Sequence, residues 1–137
     1  MSKDTPFIWD TKLLCQNFSF SFIIRQDAGS VTYEYNIYFS PGSASWSGDE
    51  SGQKSTTVYS EKRKFVNGKL TEQIPVDYNA TFSGDTGDFN YRQSGDTFYI
   101  TPQGTNDSGI DYNLEINAYI KENSSTRDTF TCIQYTI

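Results

Sequence analysis

The side chains best suited to chemistry in this chain are aromatic rings set beside Asn, Asp and Gly in turn-rich segments. A sugar presents an apolar ring face and a rim of hydroxyls, so it is held by an aromatic ring together with paired donors and acceptors. Two groups have that make-up. Trp46 precedes Asp49 and Glu50 in a stretch rich in Ser and Gly. Tyr91, Asn106 and Asp107 form the second group, provided their segments meet at one end of the fold. The candidate ligand-binding residues are therefore Trp46, Asp49, Tyr91, Asn106 and Asp107. The plainer alternative for each is a ring packed on the rim of a core and an acid that is merely solvated.

Other chemistries find less support. Asp85, Asp88, Asp107 and Asp111 are the oxygen donors a calcium ion would need, but none lies in an Asp-x-Asp-x-Asp-Gly series. Asp27, Asp85 and Asp96 read more simply as turn residues bonding their own backbone. The chain contains no His. That excludes Ser-His-Asp and Cys-His catalysis, and with Cys15 and Cys132 alone no His/Cys zinc shell closes. These two Cys read as buried thiols, with a bridge between them as the alternative. A paired-carboxylate glycosidase needs no His, yet nothing in the spacing singles out a pair. The expectation is a non-catalytic protein without cofactor or metal.

The net charge is −6, from 11 basic and 17 acidic residues. Nucleic acid is a poor partner for such a chain, because phosphate contacts need clustered Lys and Arg. Lys62-Arg63-Lys64 is the one basic run, and it reads as a solvated strand edge. The first residues carry no apolar core of a secretory leader, so no signal peptide or transmembrane segment is expected in the chain as given. Asn17, Asn79, Asn106 and Asn123 match the glycosylation acceptor pattern, which in a chain this rich in Ser and Thr reads as compositional.

The elements that must position these residues are strands. Ten Phe, ten Tyr and two Trp stand against a single Met, a composition that favours sheets over helices. Alternation of period two supports the same conclusion. It predicts a hairpin from 17–26 and 31–39, strands over 56–66 and 69–76 around Asn67-Gly68, and a short strand at 78–82. It further predicts a hairpin of 88–93 with 97–101, a long strand over 110–121 and a last one over 129–137. Residues 41–55 read as the longest structureless stretch and 123–128 as a polar turn. Within 129–137 the apolar set switches from Phe130 and Cys132 to Ile133, Tyr135 and Ile137, which suggests a bulge or burial on both sides.

The fold class that follows is all-β, an antiparallel β-sandwich of jelly-roll or Ig-like kind with about eight to nine strands, a barrel being the alternative. The whole chain, 1–137, reads as one domain. The expected core is Phe18, Phe20, Phe22, Tyr33, Tyr35, Ile37, Phe39, Leu114, Ile116 and Ile133. Trp46, Tyr38, Tyr78 and Tyr91 fall on loops or opposite that core face, and there a binding site should be sought.

One resemblance rests on Ser83-Gly84-Asp85-Thr86-Gly87-Asp88-Phe89 followed by Gly95-Asp96-Thr97. This stretch resembles a segment of the aegerolysins, small acidic β-sandwich proteins that bind membrane lipids, some of which form pores with a larger partner. The Trp- and Cys-containing signature of that family has no counterpart here, where the chain reads Tyr99-Ile100-Thr101-Pro102-Gln103-Gly104. No functional residue is carried over.

Three functions fit such a chain. The first is a lectin-like recognition module that binds glycans through loop aromatics with Asn and Asp. The second is a structural or assembly subunit of a virus or phage particle, with another protein chain or a homo-oligomer as partner. The third is a membrane-binding or pore-forming β protein, since aromatic rings suit the lipid–water interface.

Overall fold

A computed structural model describes residues 30–137. The strand expected over 17–26, Phe18, Phe20 and Phe22 of the expected core, the turn at Asp27, and Asn17 and Cys15 lie outside the described residues. Nine strands and one three-residue 3-10 turn make up the described chain: β1 (Val31–Ser40), β2 (Ser43–Trp46), β3 (Lys54–Val66), β4 (Lys69–Pro75), β5 (Tyr78–Gly84), the turn Thr86–Asp88, β6 (Phe89–Ser94), β7 (Thr97–Pro102), β8 (Tyr112–Ile120) and β9 (Asn123–Gln134). They form two sheets, not a closed barrel. One runs β1-β3-β7-β6 with β4 also paired to β3, and the other runs β2-β9-β8-β5. The architecture is a β-sandwich.

Contacts divide the chain into two units. The described part of the first is residues 30–34 with Arg63–Gln73. Its turn is Asn67-Gly68, with φ of 52° and 78°. A two-residue hairpin turn of this hand needs positive φ at both positions, and Asn and Gly are the residues that accept it. The Asn67 amide donates to the Ser30 carbonyl at 2.8 Å, and Lys64 lies 3.8 Å from Glu72.

The second unit comprises Tyr35–Lys62 and Ile74–Ile137. Rings from opposite sheets meet in its core. Phe39 of β1 lies 5.7 Å from Phe130 of β9, Phe98 of β7 lies 5.9 Å from Phe82 of β5, and Trp46 of β2 lies 5.8 Å from Phe89 of β6. Full burial of one such ring is worth about 1.5–3 kcal/mol, so these rings are a large part of what joins the two sheets. Ile37, Val58, Ile100, Leu114, Ile116, Ala118, Ile120 and Cys132 complete the core. On β8 the period-two expectation holds residue by residue from Leu114 to Ile120, whereas Ile110 lies before the strand and is exposed.

Several expectations are corrected. Tyr33 is 44% exposed, and Ile133 is only half-buried because its neighbours Cys132 and Gln134 take the inward positions. The apolar set of β9 therefore does not switch sides. Gln134, a polar residue, continues the inward face of Phe130 and Cys132. The turn expected over 123–128 is instead the start of β9. Pairing jumps there from Tyr119 opposite Arg127 to Ile120 opposite Asn123, so Ser124, Ser125 and Thr126 form an irregular excursion in the ladder. The stretch 41–55 is not structureless, because β2 pairs in parallel with β9, Ser43 opposite Thr131 through Trp46 opposite Gln134. A four-residue strand is too short for alternation to reveal. Asp85 and Asp96 also do more than shape their own turns. The Asp85 carboxylate accepts from the Asn113 amide at 2.8 Å and that of Asp96 from the Tyr78 hydroxyl at 3.0 Å.

Candidate functional site

The candidate loop residues occupy two different settings. Trp46 is 1% exposed. Its ring packs against Phe89, its indole N–H donates to the Gly52 carbonyl at 2.7 Å, and the Lys54 ammonium lies 5.3 Å from the ring centroid. Lys54 is held there by a hydrogen bond to the Ser45 carbonyl. Asn106 is also 1% exposed. Its carboxamide donates to the carbonyls of Ile110 and Gln134 at 2.9 and 3.1 Å and accepts from the Ser108 amide and hydroxyl at 3.1 and 2.7 Å. Every polar position of that side chain serves the surrounding backbone.

These bonds tie the segment after β2 to the segment before β8. The Asn106 amide donates to the Gly48 carbonyl at 2.7 Å, and Gln134 donates to the carbonyls of Glu50 and Gly104 at 2.9 and 2.7 Å. A Cβ on Gly48 would stand 2.7 Å from the Asn106 carbonyl oxygen, so only glycine allows this approach. Asp49 is exposed and accepts from the Ser47 hydroxyl at 2.7 Å. The Ser47 amide donates to Glu50, which holds that carboxyl below the usual carboxylate range. Asp107 is exposed. The segments that carry Trp46 and Asn106 thus meet, which the residue types did not predict, and their indole and amide groups are spent on joining them.

Tyr91 is elsewhere. It stacks on Phe82 at 4.2 Å where β6 meets β5, and it lines a concavity of about 260 Å³ with Gln53, Asn90, Arg92, Tyr99 and Thr101. That volume falls below the roughly 300–1,000 Å³ of enclosed small-molecule pockets, so it suits one ring seated on a surface.

The concavity opens on the solvent face of the β1-β3-β7-β6 sheet, and strand alternation builds this face. Phe98 and Ile100 of β7 point inward, so Thr97, Tyr99 and Thr101 point out. Across the β6–β7 pair Arg92 stands opposite Tyr99 and Asn90 opposite Thr101. The Arg92 guanidinium lies 4.0 Å from the Tyr99 ring centroid. Asn90 and Gln103 exchange amide hydrogen bonds at 3.1 and 3.4 Å. On β3 Thr56 and Val58 are buried, which turns Thr57 and Tyr59 outward, and the Thr57 hydroxyl meets that of Thr97 at 3.2 Å. Tyr59 is 49% exposed and Tyr38 of β1 is 44% exposed, and their rings stack 5.2 Å apart at 21°. Three tyrosine rings, one guanidinium and a set of amides and hydroxyls therefore share one solvent face.

Tyr38 was legible as a ring opposite the core. Tyr59, Tyr99 and Arg92 join it only once the strand pairing is known, although the parity of Thr56 and Val58 and of Phe98 and Ile100 carries the signal. Tyr78 is half-buried at the edge between the sheets, with its hydroxyl also accepting from Gln93 at 3.2 Å. Burial, and then the Asp96 carboxylate, push that phenol up to about 12. No group of three or more metal-ligating side chains gathers among the described residues.

The chain matches no known family model and no curated protein. The stretch resembling the aegerolysins forms the end of β5, a 3-10 turn and the β6–β7 hairpin.

Proposed function

We propose that this protein is a non-catalytic recognition module that binds carbohydrate on the solvent face of the β1-β3-β7-β6 sheet. The observation that carries this reading is the exposure of the stacked Tyr38 and Tyr59 rings on the same face as Tyr99, Asn90 and Gln103. Exposed tyrosines offer flat apolar area to the C–H faces of sugar rings, while amides and hydroxyls supply donors and acceptors for their hydroxyl rims. The rigid sheet holds these groups in place before binding, which lowers the ordering cost. This setting differs from the loop site that the residue types first suggested, and of the five candidate residues only Tyr91 lines the concavity.

The test is a broad glycan array followed by titration monitored by NMR at millimolar ligand. Binding that is lost in Tyr38→Ala and Tyr59→Ala supports the reading. A chain that binds no glycan at those concentrations overturns it.

A further inference from the structure

We infer that the concavity beside Arg92 takes a sugar bearing a single carboxylate. This rests on the reading that the outer sheet face binds saccharide, and it names the class of saccharide. Arg92 is exposed, and among the described residues its guanidinium has no hydrogen-bond or ion-pair partner, only the Tyr99 ring. Three other cations are engaged within the protein. Lys62 pairs with Glu122 at 2.9 Å, Lys64 with Glu72, and Arg127 donates to the Ser124 carbonyl at 3.0 and 3.3 Å.

Stacking on Tyr99 limits the orientations of the guanidinium plane without using its N–H donors. A planar fork held this way matches the two oxygens of a carboxylate. The neighbouring groups fit the remainder of a sugar. Asn90 sits opposite Thr101 across the ladder, and Gln53 completes the lining. The Asn90 and Gln103 carboxamides bond each other and still keep one N–H each for a hydroxyl. The chain's charge of −6 repels a polyanion at long range. One cation among neutral polar groups therefore selects a single carboxylate over a densely charged chain.

The experiment compares four probes by NMR titration: galacturonic acid, its methyl ester, sialyllactose and lactose. The first pair tests a uronate and the second a sialate, each against a partner lacking the charge. The expected result is that one or both acids bind about tenfold tighter than the uncharged partner, the equivalent of about 1.4 kcal/mol. Arg92→Gln should remove that preference, bringing the affinity for the acid down to that for its uncharged partner, and Arg92→Lys should keep only part of it, because it retains charge and loses the fork. If acid and neutral partner bind alike and Arg92→Gln changes nothing, the carboxylate assignment is overturned and carbohydrate binding stands. If none of the four binds, the carboxylate assignment falls, and the glycan array decides separately whether carbohydrate binding stands.

Discussion

Tyr38 and Tyr59 stack ring on ring on the solvent side of their sheet, 5.2 Å apart, instead of joining the rings between the sheets. Such a cross-strand pair is worth about 0.2–1 kcal/mol to a sheet. That is small beside the apolar area it leaves in water, and binding offers a use for that area. The double variant Tyr38→Ala/Tyr59→Ala is expected to lose no more than about 1 kcal/mol of stability on this scale. Its affinity for a glycan bound by the wild type should fall at least about tenfold, a change of about 1.4 kcal/mol. Chemical denaturation and glycan titration on the same samples check the two halves separately.

Trp46 and Gln134 should behave in the opposite way. Trp46→Ala empties a fully buried site and is expected to cost about 3–5 kcal/mol. Gln134→Leu removes the donor that serves the Glu50 and Gly104 carbonyls, at about 1–3 kcal/mol for each acceptor left unpaired in the interior. Urea unfolding measures both. Sugar affinity per folded molecule should stay within about twofold of wild type, a difference of about 0.4 kcal/mol.

Gly48 and Gly52 offer a paired comparison within one segment. A Cβ on Gly48 would meet Ile137 Cγ1 at 2.5 Å and two backbone atoms at 2.7 Å, whereas one on Gly52 meets nothing within 4 Å. Gly48→Ala is therefore expected to destabilise by about 1–3 kcal/mol through overpacking, and Gly52→Ala to stay within about 0.5 kcal/mol of wild type. Thermal unfolding midpoints of the two variants decide this.

Stability should decline in alkali. Burial raises the Cys132 thiol from 9.0 to about 12, and burial with the Asp96 carboxylate raises the Tyr78 phenol from 10.0 to about 12. Both groups hold their protons in the folded state at a pH where the unfolded chain has released them. Unfolding thus releases protons, and stability falls as pH rises. The contribution of Cys132 is complete below pH 9 and lost between 9 and about 12, and that of Tyr78 is lost between 10 and about 12. Urea midpoints taken at pH 8, 9, 10 and 11 should fall progressively, and Cys132→Ala should flatten the decline that begins at 9.

The sequence was most legible where one local rule decided the outcome. Asn67-Gly68 announced its hairpin because few other residues accept positive φ, and Leu114 to Ile120 announced their inward face through strict alternation. It was least legible where tertiary partners overrode residue type. Trp46 beside Ser, Gly and Asp reads as a loop ring, yet a four-residue parallel pairing with β9 places it inside. Asn106 and Gln134 are polar and nonetheless fully buried, because their amides satisfy carbonyls contributed by distant segments. No periodicity reports that. The outer face has the same difficulty in reverse. Tyr38, Tyr59 and Tyr99 lie on three strands, and only the order β1-β3-β7 brings them onto one surface.

The central claim is that the sheet face, and not the loop end, meets the ligand. The most direct test is a backbone and side-chain NMR chemical-shift map recorded while an array-positive glycan is titrated into the full chain. Shifts concentrated on Tyr38, Tyr59, Asn90, Arg92 and Tyr99 are the predicted result. Shifts concentrated on Asp49, Glu50 and Asp107, with the sheet face unmoved, would contradict it.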